Sequence, residues 1–456
     1  MASALLLSGC ALGQPPTGTT SAKPVSPGGS ALYPVVPAAA AATTAWWQIF
    51  SDPDLDRLIS DALAANHSMD AAWHRLEQSG FALRAAQAAR YPGLQLTGFT
   101  GQSRQIRDGS MGTDDVWGVS AAVSYELDVW QRVSANLSRA GYLRDATAYD
   151  AGVLAISVAA AVCDAWFDLQ ERLLTVQLLE TQLAVAEDAL VVVERRYHGG
   201  LGQLLDVYQQ RELVAGVSSL LPQAQAAVGS SRYRLAVLLG VSPGTFEMPA
   251  PVGLPEPVLF PELDAGFDWA AERPDVRAAR ARLQAAEQER IRAARSRLPT
   301  VRLVVQGNTR ENEPDALFDR ITGEGLVQIS VPVLDGGLLR AEADRVAAAW
   351  SERESAYLEV RLQAEREVEE AMLLERAQAE TIVRLETEMQ AAGRTLALSE
   401  DRYRNGLVEF LNVLTAQQRV QQLERGLLRA KRQRLAYQVQ IVRATAGHGF
   451  QQGGEE

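Results

Sequence analysis

The feature that most constrains this chain is that it repeats itself. Asp128, in Glu126-Leu127-Asp128-Val129-Trp130, stands 207 residues before Asp335, in Val333-Leu334-Asp335-Gly336-Gly337. Arg90-Tyr91-Pro92 and Arg297-Leu298-Pro299 are separated by the same 207. Farther on, Arg196-Tyr197-His198-Gly199-Gly200-Leu201 matches Arg402-Tyr403-Arg404-Asn405-Gly406-Leu407 at a spacing of 206, as Leu205-Asp206-Val207 matches Leu411-Asn412-Val413. One residue of slippage over such distances marks two copies of one supersecondary unit. The spacing predicts repeats over 67–240 and 273–446. They are joined by a segment, 241–272, that carries six prolines between Ser242 and Pro261 and cannot be helical there. Ahead of the first repeat, 46–66 begins with Trp46, Trp47 and Phe50. Asp52 then reads as an N-cap and Pro53 as the first helical residue.

Each repeat has the order helix, alternating segment, loop, alternating segment, long helical hairpin. Trp117, Val119, Ala121, Val123 and Tyr125 point one way, and Gly118, Ser120, Ala122, Ser124 and Glu126 the other. Strands are predicted over 94–101, 117–126, 301–308 and 326–333, with connecting loops at about Gln102 to Val116 and Thr309 to Glu324. Nine or ten residues at roughly 45° tilt rise about 23 Å, the height of an outer-membrane apolar band. Trp117 and Tyr125 then fall at strand ends, where aromatic girdles belong. Four strands cannot close a barrel, since the smallest common membrane barrel has about eight. An open edge in lipid leaves backbone groups unpaired at several kcal/mol each, so the edges must pair with other copies. Two copies supply about eight strands and three about twelve.

From Arg132 to Tyr197 the pattern is helical without a break, about 100 Å of helix. Leu179, Leu183, Ala186, Leu190, Val193 and Tyr197 keep heptad spacing, and Leu385, Met389, Ala392, Leu396, Ser399 and Tyr403 repeat it. Gly199-Gly200 and Asn405-Gly406 break the runs. Return helices follow from Leu204 to Leu239 and from Glu409 to Ala446. The expected fold is mainly α with a small membrane β-barrel. No run of about 20 apolar residues predicts a spanning helix; the best stretch, Gly152 to Cys163, is too short.

Composition removes other classes. A net charge of −12 argues against a nucleic-acid partner, which needs a basic surface. Two cysteines exclude a disulfide framework, and four histidines make a multi-histidine metal cluster unexpected. His67 and His74 lie seven apart on one helix and read as surface histidines. No GxSxG elbow, P-loop or His-x-x-x-His helix is present, so neither an enzyme nor a cofactor is expected. At the start, Leu7-Ser8-Gly9-Cys10 closes a short apolar run, with no Lys or Arg before it. It reads as a signal peptide (1–10) with a lipobox that marks Cys10 for lipidation. A flexible tether rich in Pro, Gly, Ser, Thr and Ala follows over 11–45, and a disordered tail is expected over 447–456.

These residues in this order resemble the TolC-type outer-membrane efflux factors, lipoprotein branch. The resemblance rests on Leu7-Ser8-Gly9-Cys10, Trp46-Trp47, Asp52-Pro53, Tyr91-Pro92, Glu126-Leu127-Asp128-Val129-Trp130, Arg196-Tyr197, Arg273-Pro274-Asp275, Leu298-Pro299, Asp335-Gly336-Gly337 and Arg402-Tyr403-Arg404. It implies a homotrimer whose twelve-stranded barrel continues into a twelve-helix α-barrel crossing the periplasm, with an equatorial belt around it. It also implies a periplasmic adaptor and an inner-membrane pump of the resistance-nodulation-division type. The function it implies is a lipid-anchored exit duct that passes small molecules passively and is gated at the periplasmic helical tip. By the same likeness Leu411 matches the apolar constriction and Tyr403 the tip network. Thr415 stands where the family often carries an acid, with Asp206 and Glu409 near enough to supply charge instead. Tyr197, Gly199, Gly200, Leu201, Asp206, Gly406 and Leu407 form the tip turns that would meet an adaptor. Two alternatives stay open on sequence: the exit duct of a type I protein-secretion system, and a soluble or peripheral coiled-coil scaffold. Cargo (drug, metal ion or signalling molecule) is not legible.

Overall fold

The computed structural model describes residues 45–107, 110–246, 253–258 and 268–447. Cys10, the tether, part of the Pro-rich segment and the tail after Gly447 lie outside the described residues. A 3-10 turn at Trp46–Phe50 leads into α1 (Pro53–Ala65) and α2 (His67–Ala88). Then come β1 (Gly93–Arg107), β2 (Ser110–Leu127), α3 (Arg132–His198) and α4 (Leu204–Leu238). The second half runs α5 (Trp269–Glu272), α6 (Pro274–Arg295), β3 (Thr300–Glu311), β4 (Thr322–Ser330), α7 (Leu338–Arg404) and α8 (Phe410–Ala444). The two halves mirror each other: α3 and α7 have 67 residues each, and α4 and α8 have 35 each.

Local chemistry sets the element ends. The Asp52 carboxylate accepts from the Asp54 and Leu55 amides at 3.0 and 3.1 Å, and Pro53 opens α1 where its missing N–H costs nothing. Asn66 ends α1 and caps α2 through the Ser68 and Met69 amides. The long helices start alike. Asp128 accepts from the Val133 and Ser134 amides at 2.8 Å, and Asp335 from those of Gly337 and Leu339 at 2.9 and 3.0 Å. Burial works against the Asp128 carboxylate charge, yet these hydrogen bonds hold its pKa below the usual range. The aspartates matched by the repeat thus do one job, satisfying orphan N–H groups where a strand hands over to a helix.

The four strands form one antiparallel sheet in the order β1-β2-β3-β4, so β1 and β4 are its edges. Residues directly opposite each other share a face. Register places Leu94 against Val123, Val123 against Val305, Leu96 against Ala121, Leu303 against Val327 and Val301 against Ile329. That face is apolar and open: Leu94 is 74% exposed, Val305 62% and Ile329 64%. The other face carries Gln95, Thr97, Ser120, Ser124, Gln306, Asn308, Glu324 and Gln328. Phe99 interrupts this polar side, its ring lying over Gly118 where a Cβ would come within 2.2 Å of it. At the helical end Glu126 pairs with Arg132 at 2.6 Å and with Arg302 at 3.9 Å.

Two expectations from sequence need correcting here. β1 and β2 run on past the expected loop boundary: Gln102, Ser103 and Arg104 pair with Asp115, Asp114 and Thr113. Trp117 therefore lies inside its strand rather than at the end. β3 likewise reaches Glu311, and β4 begins at Thr322 and stops at Ser330, leaving Val331 to Val333 outside it. Pro332 has no N–H to donate, so apolar alternation continues there without a ladder.

The main buried cluster forms where the N-terminal turn and α1 meet the long helices. Trp46, Trp47, Phe50, Leu55 and Ile59 pack on Ala159, Val162, Cys163, Trp166 and Phe167 of α3, with Leu235 of α4 and Leu435 and Val439 of α8. The Trp166 indole donates to Asp52 at 2.7 Å. Among the described residues, α3 is the one helix long and apolar enough to cross a bilayer, and 67% of that window is buried inside the protein. It is the central helix of this core. Burial also pushes the Cys163 thiol pKa well up, as expected of an inert apolar cysteine.

Two joints stack the short helices end to end. The Asn66 amide donates to the Leu238 carbonyl at 2.8 Å, where α4 ends beside the α1–α2 junction. The Arg273 guanidinium donates to the Ala444 carbonyl at 3.2 Å, where α8 ends beside α6. Each satisfies a C-terminal carbonyl that has no intrahelical partner.

Candidate functional site

The candidate site is the far end of the two hairpins. Both turns close as Schellman motifs. The Leu201 amide donates to the Arg196 carbonyl at 2.8 Å and Gly200 to Tyr197 at 3.0 Å; Leu407 and Gly406 repeat this onto Arg402 and Tyr403 at 2.8 and 3.0 Å. Gly200 and Gly406 have φ of 73° and 72°, the left-handed conformation in which a side chain is strained.

The tips are tied to each other by Arg196. Its guanidinium lies 4.7 Å from the centroid of the Tyr403 ring and donates to the carbonyls of Tyr403 and Arg404 at 3.4 and 3.3 Å. An arginine of the first hairpin thus caps the negative end of α7, the long helix of the second. The Tyr403 hydroxyl donates to Asp206 at 3.4 Å, and Asp206 also accepts from the Gln203 amide that opens α4. Burial, then the Asp206 charge, push the Tyr403 phenol upward, so it stays a donor at neutral pH. Phe410 adds a ring 5.3 Å from Tyr403.

Behind this network Leu179, Ala186, Val193, Val207, Leu213, Phe410, Val413 and Leu414 form one apolar cluster shared by both hairpins. Of the heptad residues of α3, Leu179, Ala186 and Val193 lie in it and Leu183 and Leu190 against it, while Tyr197 stays outside. Leu411 is not part of it. It is 52% exposed, and Thr415, one turn on, is exposed on the same face and donates its hydroxyl to the Leu411 carbonyl at 2.8 Å. Leu411 therefore points away from its own chain's core. Its repeat equivalent Leu205 is 59% exposed, while Val207 and Val413 are both buried. Leu201 and Leu407 at the turns are about as bare, at 71% and 72%.

The structure thus brings Tyr403 and Asp206 together, with Tyr197 apart, its ring beside His198. Arg196 and Phe410 were missed as tip residues, and so was Leu205. The repeat carried the signal for Leu205, because it matches Leu411 at the same spacing. Elsewhere, His74 sits exposed between Asp70 and Glu77, at 3.6 and 3.4 Å.

The chain matches the family described as outer membrane efflux protein over residues 58–241 and 268–447. It belongs to that family. This efflux protein is 28% identical over 418 residues to the pyoverdine export outer membrane protein OpmQ of Pseudomonas putida, covering 88% of this chain and 87% of that one. It is 27% identical over 468 residues to the toluene efflux pump outer membrane protein TtgC of Pseudomonas putida, covering 99% and 95%. Among solved structures, the outer membrane protein VceC of Vibrio cholerae superposes with a TM-score of 0.80 at 25% identity, covering 88% of this chain and 98% of that one. The relatives are transport proteins of the outer membrane rather than enzymes, and this efflux protein is an outer-membrane component of an efflux system.

Proposed function

We propose that this protein is the exit duct of a tripartite efflux pump and works as a homotrimer. Three four-stranded sheets close a twelve-stranded barrel in the outer membrane, and the long hairpins of three copies form a twelve-helix α-barrel through the periplasm. One observation carries this reading: the sheet has two open edges and a bare apolar face, which is unstable in water and incomplete in lipid until copies pair edge to edge. The barely buried helices point the same way. Only Met69 and Ala72 of α2, and six residues of the 67 in α7, are buried within one chain. Trp73, Phe81, Leu358, Leu362 and Leu373 are left for neighbouring copies to cover.

The duct is passive; energy comes from an inner-membrane pump of the resistance-nodulation-division type, coupled through a periplasmic adaptor. Leu411 and Thr415 face the threefold axis and form the gate with Tyr403, while Arg196 and Asp206 hold the second hairpin against the first. The adaptor meets the turns at Tyr197, Gly199, Gly200, Leu201, Asp206, Gly406 and Leu407 and opens the gate by loosening that tie. Leu411→Ser is expected to raise the single-channel conductance of the purified oligomer in a planar bilayer, because a polar, smaller side chain wets an apolar constriction. An unchanged conductance places the gate elsewhere.

Cys10 carries the lipid. Cys10→Ser should abolish incorporation of a labelled acyl chain and change migration on a denaturing gel. The barrel remains the main anchor, so membrane association should survive. Undiminished acyl incorporation would reject lipidation at this residue.

A further inference from the structure

A cleft of about 410 Å³ opens between α3, α4 and α8, well up the hairpins from the tips. Its floor is apolar and shallow, from Leu179, Leu220 and Ala224. Three guanidinium groups, Arg172, Arg425 and Arg429, line it against one carboxylate, Glu171. Arg172 is already paired, with Asp168 at 2.8 Å.

Arg425 and Arg429 are not. The other basic side chains of this stretch of α8 each have a carboxylate: Arg419 has Glu388, Lys431 has Glu386 at 3.6 Å, Arg432 has Asp164 at 3.9 Å and Arg434 has Glu375 at 2.8 Å. Among the described residues no carboxylate lies within ion-pair distance of Arg425 or Arg429. The two stand one helical turn apart, where like charges repel. Arg425 is half-buried, and its neutral partner is the Gln182 carbonyl oxygen at 2.6 Å. The Gln182 amide nitrogen is used in turn by the Gln421 carbonyl and the Glu424 carboxylate, at 3.2 and 2.6 Å. That hydrogen-bond chain fixes the Arg425 fork and leaves its remaining N–H groups at the cleft. Burial, then the Arg429 charge, lower the Arg425 pKa, and the charge of the adjacent Glu424, itself held by Gln182, offsets them only in part.

We propose that this cleft is a binding site for a small organic anion, a carboxylate held by Arg425 and Arg429 with its apolar body against Leu179 and Leu220. Guanidinium forks match carboxylate geometry, and an apolar floor with a few convergent polar groups is what holds a small ligand. The site is built within one chain, so it does not depend on the trimer or on the gate.

The probe is 4-fluorobenzoate, followed by its fluorine resonance as it is titrated against the purified full-length protein. Saturable broadening is expected, weakened about tenfold or more in the double variant Arg425→Gln/Arg429→Gln, since both charged hydrogen bonds to the carboxylate are lost. Arg419→Gln, whose arginine is paired with Glu388 outside the cleft, should bind as the unaltered protein does. Ala224→Phe fills the cleft without touching a charge and should also abolish binding. A readout on the unaltered chain guards against misfolding of these variants: 4-fluorobenzoate should protect Arg425 and Arg429 from phenylglyoxal, and leave the exposed Arg384 as reactive as before. Absence of saturable broadening, equal binding by the double variant, or no protection of the two arginines would overturn the proposal.

Discussion

Val305→Arg is expected to stop the chain from reaching its assembled outer-membrane state, while Gln306→Arg, one residue on, is expected to be tolerated. The two positions are neighbours in β3 but face opposite ways. Val305 pairs with Val123 and Gly325 on the apolar face, and Gln306 with Ala122 and Glu324 on the polar one. An arginine facing lipid near the middle of a strand costs about 2–4 kcal/mol, and three copies would incur it together. On the polar face a new guanidinium finds water and Glu324. The measurement is the yield of folded, heat-modifiable oligomer in the outer-membrane fraction. Since Val305 is already exposed in the single chain, a water-soluble scaffold would accept arginine there as readily as at 306. Equal yields from the two variants would therefore contradict a lipid-facing sheet.

Arg273→Ala should have the largest effect on stability. Arg273 is 8% exposed and holds three elements at one joint: Asp275 at the start of α6 at 2.6 Å, Glu367 of α7 at 2.8 Å and the last-turn carbonyl of Ala444 in α8 at 3.2 Å. Burial alone would depress the guanidinium pKa, and the two carboxylates more than offset that and raise it. A basic group with a raised folded-state pKa gives its full stabilisation below its ordinary value. The contribution is thus complete at neutral pH and fades only in strong alkali. Removing the cation leaves two carboxylates and a carbonyl partly buried and unpaired, a loss of about 3–5 kcal/mol. Arg273→Lys should recover part of it, because an ammonium keeps the charge but not the fork. Arg361→Ala removes exposed pairs with Asp268 and Glu365 and serves as the control, with little change expected. Urea unfolding of the three variants checks the order. Equal midpoints for the Arg273→Ala and Arg361→Ala proteins would mean that the joint does not hold α6, α7 and α8 together.

The long elements were legible because period and punctuation agree over tens of residues. Heptad spacing ran up to Gly199-Gly200 and Asn405-Gly406, and the helices end there. The strands were harder. Alternation marks only the part of a strand that lies between two unlike surroundings. Beyond Gly101, the residues Gln102 to Arg104 and Thr113 to Asp115 are polar on both faces, so they read as loop, although backbone pairing continues through them. Val331 to Val333 misled in the opposite sense, keeping an apolar pattern that Pro332 deprives of a ladder. At the tip, Tyr403 and Asp206 could be named from the repeat. Arg196 could not, because its role is to cap a helix 208 positions away in the chain, a relation that only the packed hairpins reveal. Neither could the unpaired arginines of α8, since the carboxylates that meet their neighbours come from α3 and α7, and only geometry tells which arginine meets one.

A trimeric duct requires that the open sheet be finished by its own kind. Native mass spectrometry of the full-length protein, extracted from outer membranes in mild detergent, reads that directly. A complex of three chains is the predicted result. A folded species of one chain, persisting after gentle extraction, would contradict it.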